Sequence, residues 1–289
     1  MRWMRTGWAI VSVAACSMTT TTLAGPDWVE GGDGDFDFLP DAGALPATAQ
    51  PVGFGGSVDS ILGSLGGVGA VVEGIPGDFE DMYLIRITDF QTFFVITGSA
   101  TGIAGVDLAD SSLFLFTGPD HPLGPGRGIL ANNATDLAPP PPGSTFPPAA
   151  LTGSVNDGGT TPLLIDGLTY YLAITGTGRV PVDAAGAPIF EFGVDPVEIS
   201  SPDGPGGANP IAGWTGAGPT GEYLLPGMIS VSSANTLIPG DLNGDGAVNG
   251  LDLAIVLNAF GNAGGPGDAN NDGVVDGGDI AFVLNSWTG

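Results

Sequence analysis

Two twelve-residue segments near the carboxyl end, alike in plan and offset by 27 residues, restrict this chain more than any other feature. They read DLNGDGAVNGLD over 241–252 and DANNDGVVDGGD over 268–279. Each carries an oxygen-bearing side chain at positions 1, 3 and 5, glycine at 6 (Gly246, Gly273), a further oxygen side chain at 9 and aspartate at 12. A chain that turns sharply at its sixth residue brings those oxygens to one point, and a hard divalent cation takes roughly six to eight oxygen ligands. The candidate metal ligands in the first loop are therefore Asp241, Asn243, Asp245, the carbonyl of Ala247, Asn249 through a water, and Asp252. Those in the second are Asp268, Asn270, Asp272, the carbonyl of Val274, Asp276 through a water, and Asp279. The expected cofactor is calcium, two ions, one per loop.

After each loop an apolar stripe recurs at helical spacing: Leu253, Val256, Leu257 and Phe260, then Ile280, Val283, Leu284 and Trp287. Each stripe predicts a short helix that buries one face against the other helix. Ile238-Pro239-Gly240 forbids a helix entering the first loop, so each unit is loop then helix. The apolar position 8 residues, Val248 and Val275, are expected to pair the two loops through a short β-type contact. Three carboxylates in the first loop and four in the second, with no Lys or Arg in the module, repel one another without a cation. Metal binding and folding are expected to be coupled.

These features resemble the type I dockerin, a paired variant of the EF-hand loop with Asp rather than Glu at position 12, over about residues 239–289. The resemblance implies calcium binding and docking onto a cohesin-like protein or another cell-surface component. Dockerin recognition usually involves positions 10 and 11, often Ser-Thr, with basic residues along the helices. Here those positions are Gly250-Leu251 and Gly277-Gly278, and basic residues are absent, so calcium binding carries over better than a particular cohesin does.

The rest of the chain reads as β structure. Segments 81–88 (DMYLIRIT), 92–97 (TFFVIT), 112–117 (SLFLFT), 169–175 (TYYLAIT) and 223–231 are rich in β formers and bounded by Gly, Pro, Asp or Asn. Their consecutive apolar residues suit strands buried on both faces. The glycine-rich stretch 63–69 reads as turns, the proline tract 139–142 as a surface excursion, and 201–221 as a second long loop. Residues 77–85 (GDFEDMYLI), 112–116 (SLFLF) and 167–174 (GLTYYLAI) are similar, in order and approximate spacing, to motifs of bacterial pre-peptidase C-terminal (PPC) domains, which implies a non-catalytic, jelly-roll-like β-sandwich. The expected fold is mainly β: that sandwich over 51–232, a linker at 233–238 and the two-helix module at 239–289, after an export signal at 1–24 and a flexible segment at 25–50.

Arg2 and Arg5, the apolar run 8–15 and the Thr22-Leu23-Ala24 cleavage signature predict export, with removal of the signal after Ala24. A lipoprotein signal at Cys16 is the weaker alternative, because the apolar run before that cysteine is short. Cys16 is the only cysteine, so the exported chain forms no disulfide and no thiolate metal site. With 31 acidic residues against five arginines, the surface repels nucleic acid and anionic lipid, and no stretch has the apolar length of a membrane span. Carboxylates such as Asp78, Glu80, Asp81, Glu191 and Glu198, and the single histidine, His121, are weighed as catalytic groups and set aside: acidic residues are this chain's ordinary solvated face. The protein is expected not to be an enzyme. Trp214 and Tyr170-Tyr171 are the candidate stacking surfaces for a polysaccharide, against a plainer role in the core.

Overall fold

The computed structural model describes residues 28–30, 42–52, 56–66, 79–102, 107–108, 110–133, 148–193, 195, 197–234, 239–242, 247–263, 265, 267–270 and 272–288. The expected export signal with Cys16, the Gly77-Asp78 start of the PPC-like motif, the proline tract and most of the linker lie outside them. In chain order the elements are β1 (Trp28–Val29), β2 (Gln50–Pro51), β3 (Ser60–Leu65), β4 (Glu80–Ile87), β5 (Phe94–Ile96), β6 (Ser111–Thr117), β7 (Gly128–Asn133), β8 (Ala150–Thr152), β9 (Thr169–Gly176), β10 (Arg179–Val182), β11 (Gly213–Gly216), β12 (Gly221–Pro226), β13 (Val231–Ser233), α1 (Gly250–Asn258) and α2 (Gly277–Asn285). The fold is mainly β with two carboxyl-terminal helices.

The principal sheet has the order β13-β4-β9-β6-β7, with β2 also paired to β4. Its three central strands, β4, β9 and β6, are the three segments that carry the PPC-like motifs. All are antiparallel neighbours. Alternate residues feed two cores. Tyr83, Ile85, Ile87, Leu113, Leu115, Tyr170, Leu172 and Ile174 face one that also holds Trp28, Ile61, Leu65, Val95, Leu151, Tyr223 and Leu225 from the smaller sheets. Met82, Phe114, Phe116, Tyr171 and Ala173 face the other, closed by Ile189, Phe190 and Ile211, with Leu45 and Trp214 packed against it. A strand covered on both sides has no polar face, which is why these runs read as unbroken apolar sequence.

Four expectations for the body need correction. The segment 223–231 is two strands, not one. The chain breaks at Gly227 (φ 61°) and Ser230 (φ 59°), and β12 pairs with β3 while β13 pairs with β4, so the chain changes sheets there. Within 63–69, Gly63 lies inside β3 rather than in a turn. A Cβ there would stand 2.5 Å from both the Glu30 carboxylate and the Tyr223 hydroxyl, so glycine admits a close approach. The stretch 201–221 contains β11, paired in register with β10. Finally, the described part of 25–50 is anchored rather than flexible. Trp28 and Ala42 are buried, Trp28 Nε1 donates to Gln50 at 2.8 Å, and Glu30 accepts from the Ala42 and Ser64 amides.

Candidate metal centre

The second loop is described at every candidate position. Asp268 Oδ1 and Oδ2 accept from the amides of Asp272 (3.0 Å) and Gly273 (2.9 Å). Asn270 Oδ1 accepts from Asp272 N at 2.9 Å, and Asp272 Oδ1 from Val274 N at 3.1 Å. Asn270 Nδ2 reaches Asp272 Oδ2 at 2.9 Å. The side chains at positions 1, 3 and 5 are thus wound around one turn. Gly273 has φ 92°, and a Cβ there would meet nothing, so glycine is required for its backbone conformation and not for space. In the first loop Asp241, Ala247, Asn249 and Asp252 are described, whereas Asn243 and Asp245 lie outside the described residues.

The candidate ligands at positions 9 and 12 also cap the helices. Asn249 and Asp276 are the N-caps of α1 and α2, accepting from Leu251 N (2.8 Å) and Gly278 N (2.6 Å). Asp252 and Asp279 sit at N3 and complete capping boxes. Both aspartates are fully buried. Asp252 spans its loop, with Oδ1 accepting from Leu242 N (2.7 Å) and Oδ2 from Asn249 N (2.8 Å). Asp279 repeats this with Asn270 N (3.1 Å) and Asp276 N (2.8 Å). Burial works to raise the Asp279 pKa, but the amides of Asp276, Asn270 and Ala269 together outweigh it and hold the carboxyl below its ordinary value. This capping role is not among the expectations from sequence; the pattern Asn/Asp-x-x-Asp ahead of an apolar run is the signal that carries it.

The loops do not pair through position 8 as the sequence suggested. Val248 and Val275 are both buried in one small core with Leu242, Val256 and Val283. Their backbones turn elsewhere: Val248 exchanges bonds with Thr288 (Thr288 N to Val248 O 2.9 Å, Val248 N to Thr288 Oγ1 2.7 Å). Val275 does so with Gly261 and Asn262 (2.8 and 2.9 Å). Each loop is closed by the segment that follows the other unit's helix. Nothing in the sequence singled out those segments.

The helical stripes also need correction. Val256 and Val283 are buried and Leu253 and Ile280 pack against them, but Leu257, Phe260, Leu284 and Trp287 are exposed. A core this thin is filled by one valine per helix plus its neighbours, leaving the second half of each stripe outside.

Elsewhere, three of the carboxylates weighed for catalysis, and the histidine, make structural contacts. Glu80 is buried in an ion pair with Arg179, and Asp81 accepts from the Tyr223 hydroxyl at 2.7 Å. Glu198 accepts from Gly193 N and Ser200 Oγ. His121 is buried edge-on to Tyr170, its ring nitrogens facing the Leu163 carbonyl and the Leu123 amide. Glu191 is exposed in a loop, and Asp78 lies outside the described residues. Tyr170 and Tyr171 are buried, and Trp214 is packed on Phe114 and Phe116 with Nε1 donating to Ala44 O at 2.7 Å. Tyr170 and Tyr171 present no open stacking face, and Trp214 is half-buried.

Among the described residues no three Asp, Glu, His or Cys side chains draw together as a metal cage. The donor set nevertheless fits a hard cation. The loop wraps oxygen side chains around one turn and offers no nitrogen or sulfur ligand. A β body followed by a paired loop–helix unit of this kind defines a modular protein with a small appendage whose oxygen donors suit a cation. Residues 239–285 match the dockerin type I domain, so the appendage is a dockerin-type module. The match covers that unit alone. No curated protein and no solved structure matches the chain. Among the described residues no helix is long and apolar enough to cross a membrane.

Proposed function

We propose that this is an exported, non-catalytic docking protein. Its carboxyl-terminal module binds calcium in two loops and, so loaded, attaches the β body to a cohesin-like partner at or outside the cell surface. The observation that carries this reading is the double clamp of Asp252 and Asp279, which ties each loop to the helix that follows it, in a segment matching the dockerin type I domain. Asp241, Asn243, Asp245, Asn249 and Asp252 would hold one ion with the Ala247 carbonyl. Asp268, Asn270, Asp272, Asp276 and Asp279 would hold the other with the Val274 carbonyl. Calcium supplies the charge that seven aspartates otherwise lack and fixes the loops from which the helices spring. The body acts as the cargo or spacer. The engagement of Glu80, Asp81 and Glu198 and the buried histidine favour this over a glycoside hydrolase, and the burial of Tyr170 and Tyr171 favours it over a polysaccharide-binding sandwich. Binding of the full chain to immobilised cohesin modules, in calcium and in EGTA, tests the proposal. Capture that requires calcium supports it, and capture indifferent to EGTA or absent from every cohesin opposes it.

A further inference from the structure

The first core of the β body encloses two carboxylates. Glu30 (1% exposed) and Asp81 (0%) are buried there together with Tyr83 and Tyr223. Asp81 and Tyr83, two residues apart on β4, face the same side of the principal sheet, flanked by Ile174 and Leu172 of β9. From the smaller sheet Tyr223 on β12 reaches across. Its hydroxyl donates to Asp81 Oδ2 at 2.7 Å and stands 2.5 Å from the Tyr83 hydroxyl. A Cβ on Gly63 would meet Glu30 Oε2 and the Tyr223 hydroxyl, each at 2.5 Å, so these two oxygens are separated by at most twice that distance. Glu30 also fastens the start of the body. Its own amide continues the β1–β3 pairing to Leu62 O (2.9 Å), and its carboxyl oxygens accept from the amides of Ala42 (2.9 Å) and Ser64 (3.0 Å).

Two carboxylates in one apolar space resist being ionised together, because burial and each other's charge both favour the neutral form. Among the described residues the bases are engaged elsewhere. Arg86 binds the Gly167 and Ala234 carbonyls and Asp120, Arg127 the Leu123 and Ala208 carbonyls, and Arg179 Glu80 and the Gly216 carbonyl. His121 lies against Tyr170, and the chain has no lysine. The tyrosine keeps its own proton: burial, then the charges of Asp81 and Glu30, hold the Tyr223 hydroxyl well above its ordinary value. We propose that Glu30 and Asp81 hold one proton in common in the folded body at neutral pH, and that its loss in alkali unfastens β1 and the Ala42 segment from β3. In the unfolded chain both carboxyls lose their protons at about pH 4, whereas the folded pair keeps one until its raised upper titration. Folding takes up one proton over that interval. The stabilisation is complete in acid and is lost as pH rises through the upper titration of the pair.

Infrared spectroscopy of the full chain at about pH 7 tests the proton directly, because carboxyls in solvent are ionised there. The parent should show a protonated-carboxyl band that is lost in D81N and in E30Q. It should be kept in E80Q, which alters the buried glutamate paired with Arg179. D81N sets a neutral amide of the same shape where the shared proton would lie. In denaturant titration the unfolding equilibrium constant of the parent should rise about tenfold per pH unit relative to that of D81N, over roughly pH 5–7. The surface variant E191Q should follow the parent. Hydrogen exchange, corrected for its intrinsic pH dependence, should show the Glu30 amide opening ahead of those of β9 as pH is raised further. A parent without the band overturns the proposal, whether or not the variants fold. So does a band that persists in D81N or E30Q, since it would belong to one carboxyl alone. Midpoints of parent and D81N that run parallel with pH, or β1 and β9 opening together, equally overturn it.

Discussion

Replacing Asp279 by alanine should unfold the carboxyl-terminal module while leaving the β body intact. Asp279 is fully buried and accepts two backbone N–H groups, from Asn270 and Asp276, that tie the start of the second loop to the start of α2. Hydrogen bonds to a charged acceptor contribute about 1.5–3 kcal/mol each, so removing both costs about 3–6 kcal/mol. A unit this small holds no more than roughly 3–5 kcal/mol of stability from its core, which the substitution would consume. Asp279 is also a candidate ligand, so in saturating calcium the loss is at least this large. D279N keeps one acceptor oxygen and should lose about half as much, and D276A, which removes a single N-cap bond, about 1 kcal/mol. Both described helices, nine residues each, lie in this module, so circular dichroism at the helical minimum reads it separately from the body. D279A should lose that signal at 25 °C while the Trp28 and Trp214 fluorescence of the body is retained. A D279A module that keeps its helical signal and melts within about 1 kcal/mol of the parent would refute the clamp.

Three further predictions concern the body and the loops. Y223F removes the hydroxyl that bonds Asp81 at 2.7 Å and Tyr83 at 2.5 Å inside the core, and should lower stability by about 1–3 kcal/mol in denaturant titration; an unchanged midpoint would remove that network from the account. Asp157 has its pKa lowered: burial pushes it up, but the Ser201 amide and hydroxyl and the Gly159 amide pull it down further. Its contribution is therefore complete above the ordinary value of 3.8 and is lost as pH falls through the lowered one; acid titration of D157N followed by tryptophan fluorescence should show a shallower loss than the parent, and parallel curves would contradict this. G273A places a Cβ at φ 92° and should weaken calcium uptake at the second loop by about fivefold or more through roughly 1 kcal/mol of backbone strain; calorimetry showing two unaltered sites would contradict it.

Much of the carboxyl-terminal module was legible because its chemistry is local. A twelve-residue wrap and its sixth-position glycine are set by neighbours in sequence; the cap-plus-N3 aspartate is equally local but went unread. Which half of the Leu253–Phe260 stripe turns inward was not legible, because that depends on the thickness of a core assembled from both units. The partners of Val248 and Val275 were hidden for the same reason: Thr288 is 40 residues from Val248. In the body, β4, β6 and β9 announced themselves as apolar β-forming runs because both faces are covered. β12 and β13 read as one segment because only long-range pairing separates them at Gly227. Gly63 read as a turn glycine although it serves a close approach to Glu30 and Tyr223, two side chains that meet only in the folded chain. The buried place of Tyr171 and the half-buried one of Trp214 likewise follow from the second core, which the loops around 189–214 close from a distance, while Tyr170 faces the first.

Calcium uptake by the two loops is the property on which the module's folding and docking both depend. Titration calorimetry of the full chain at physiological ionic strength should detect two bound calcium ions, reduced to one in D241A and to one in D268A. A chain that takes up no calcium would contradict it, as would one whose uptake is indifferent to both substitutions.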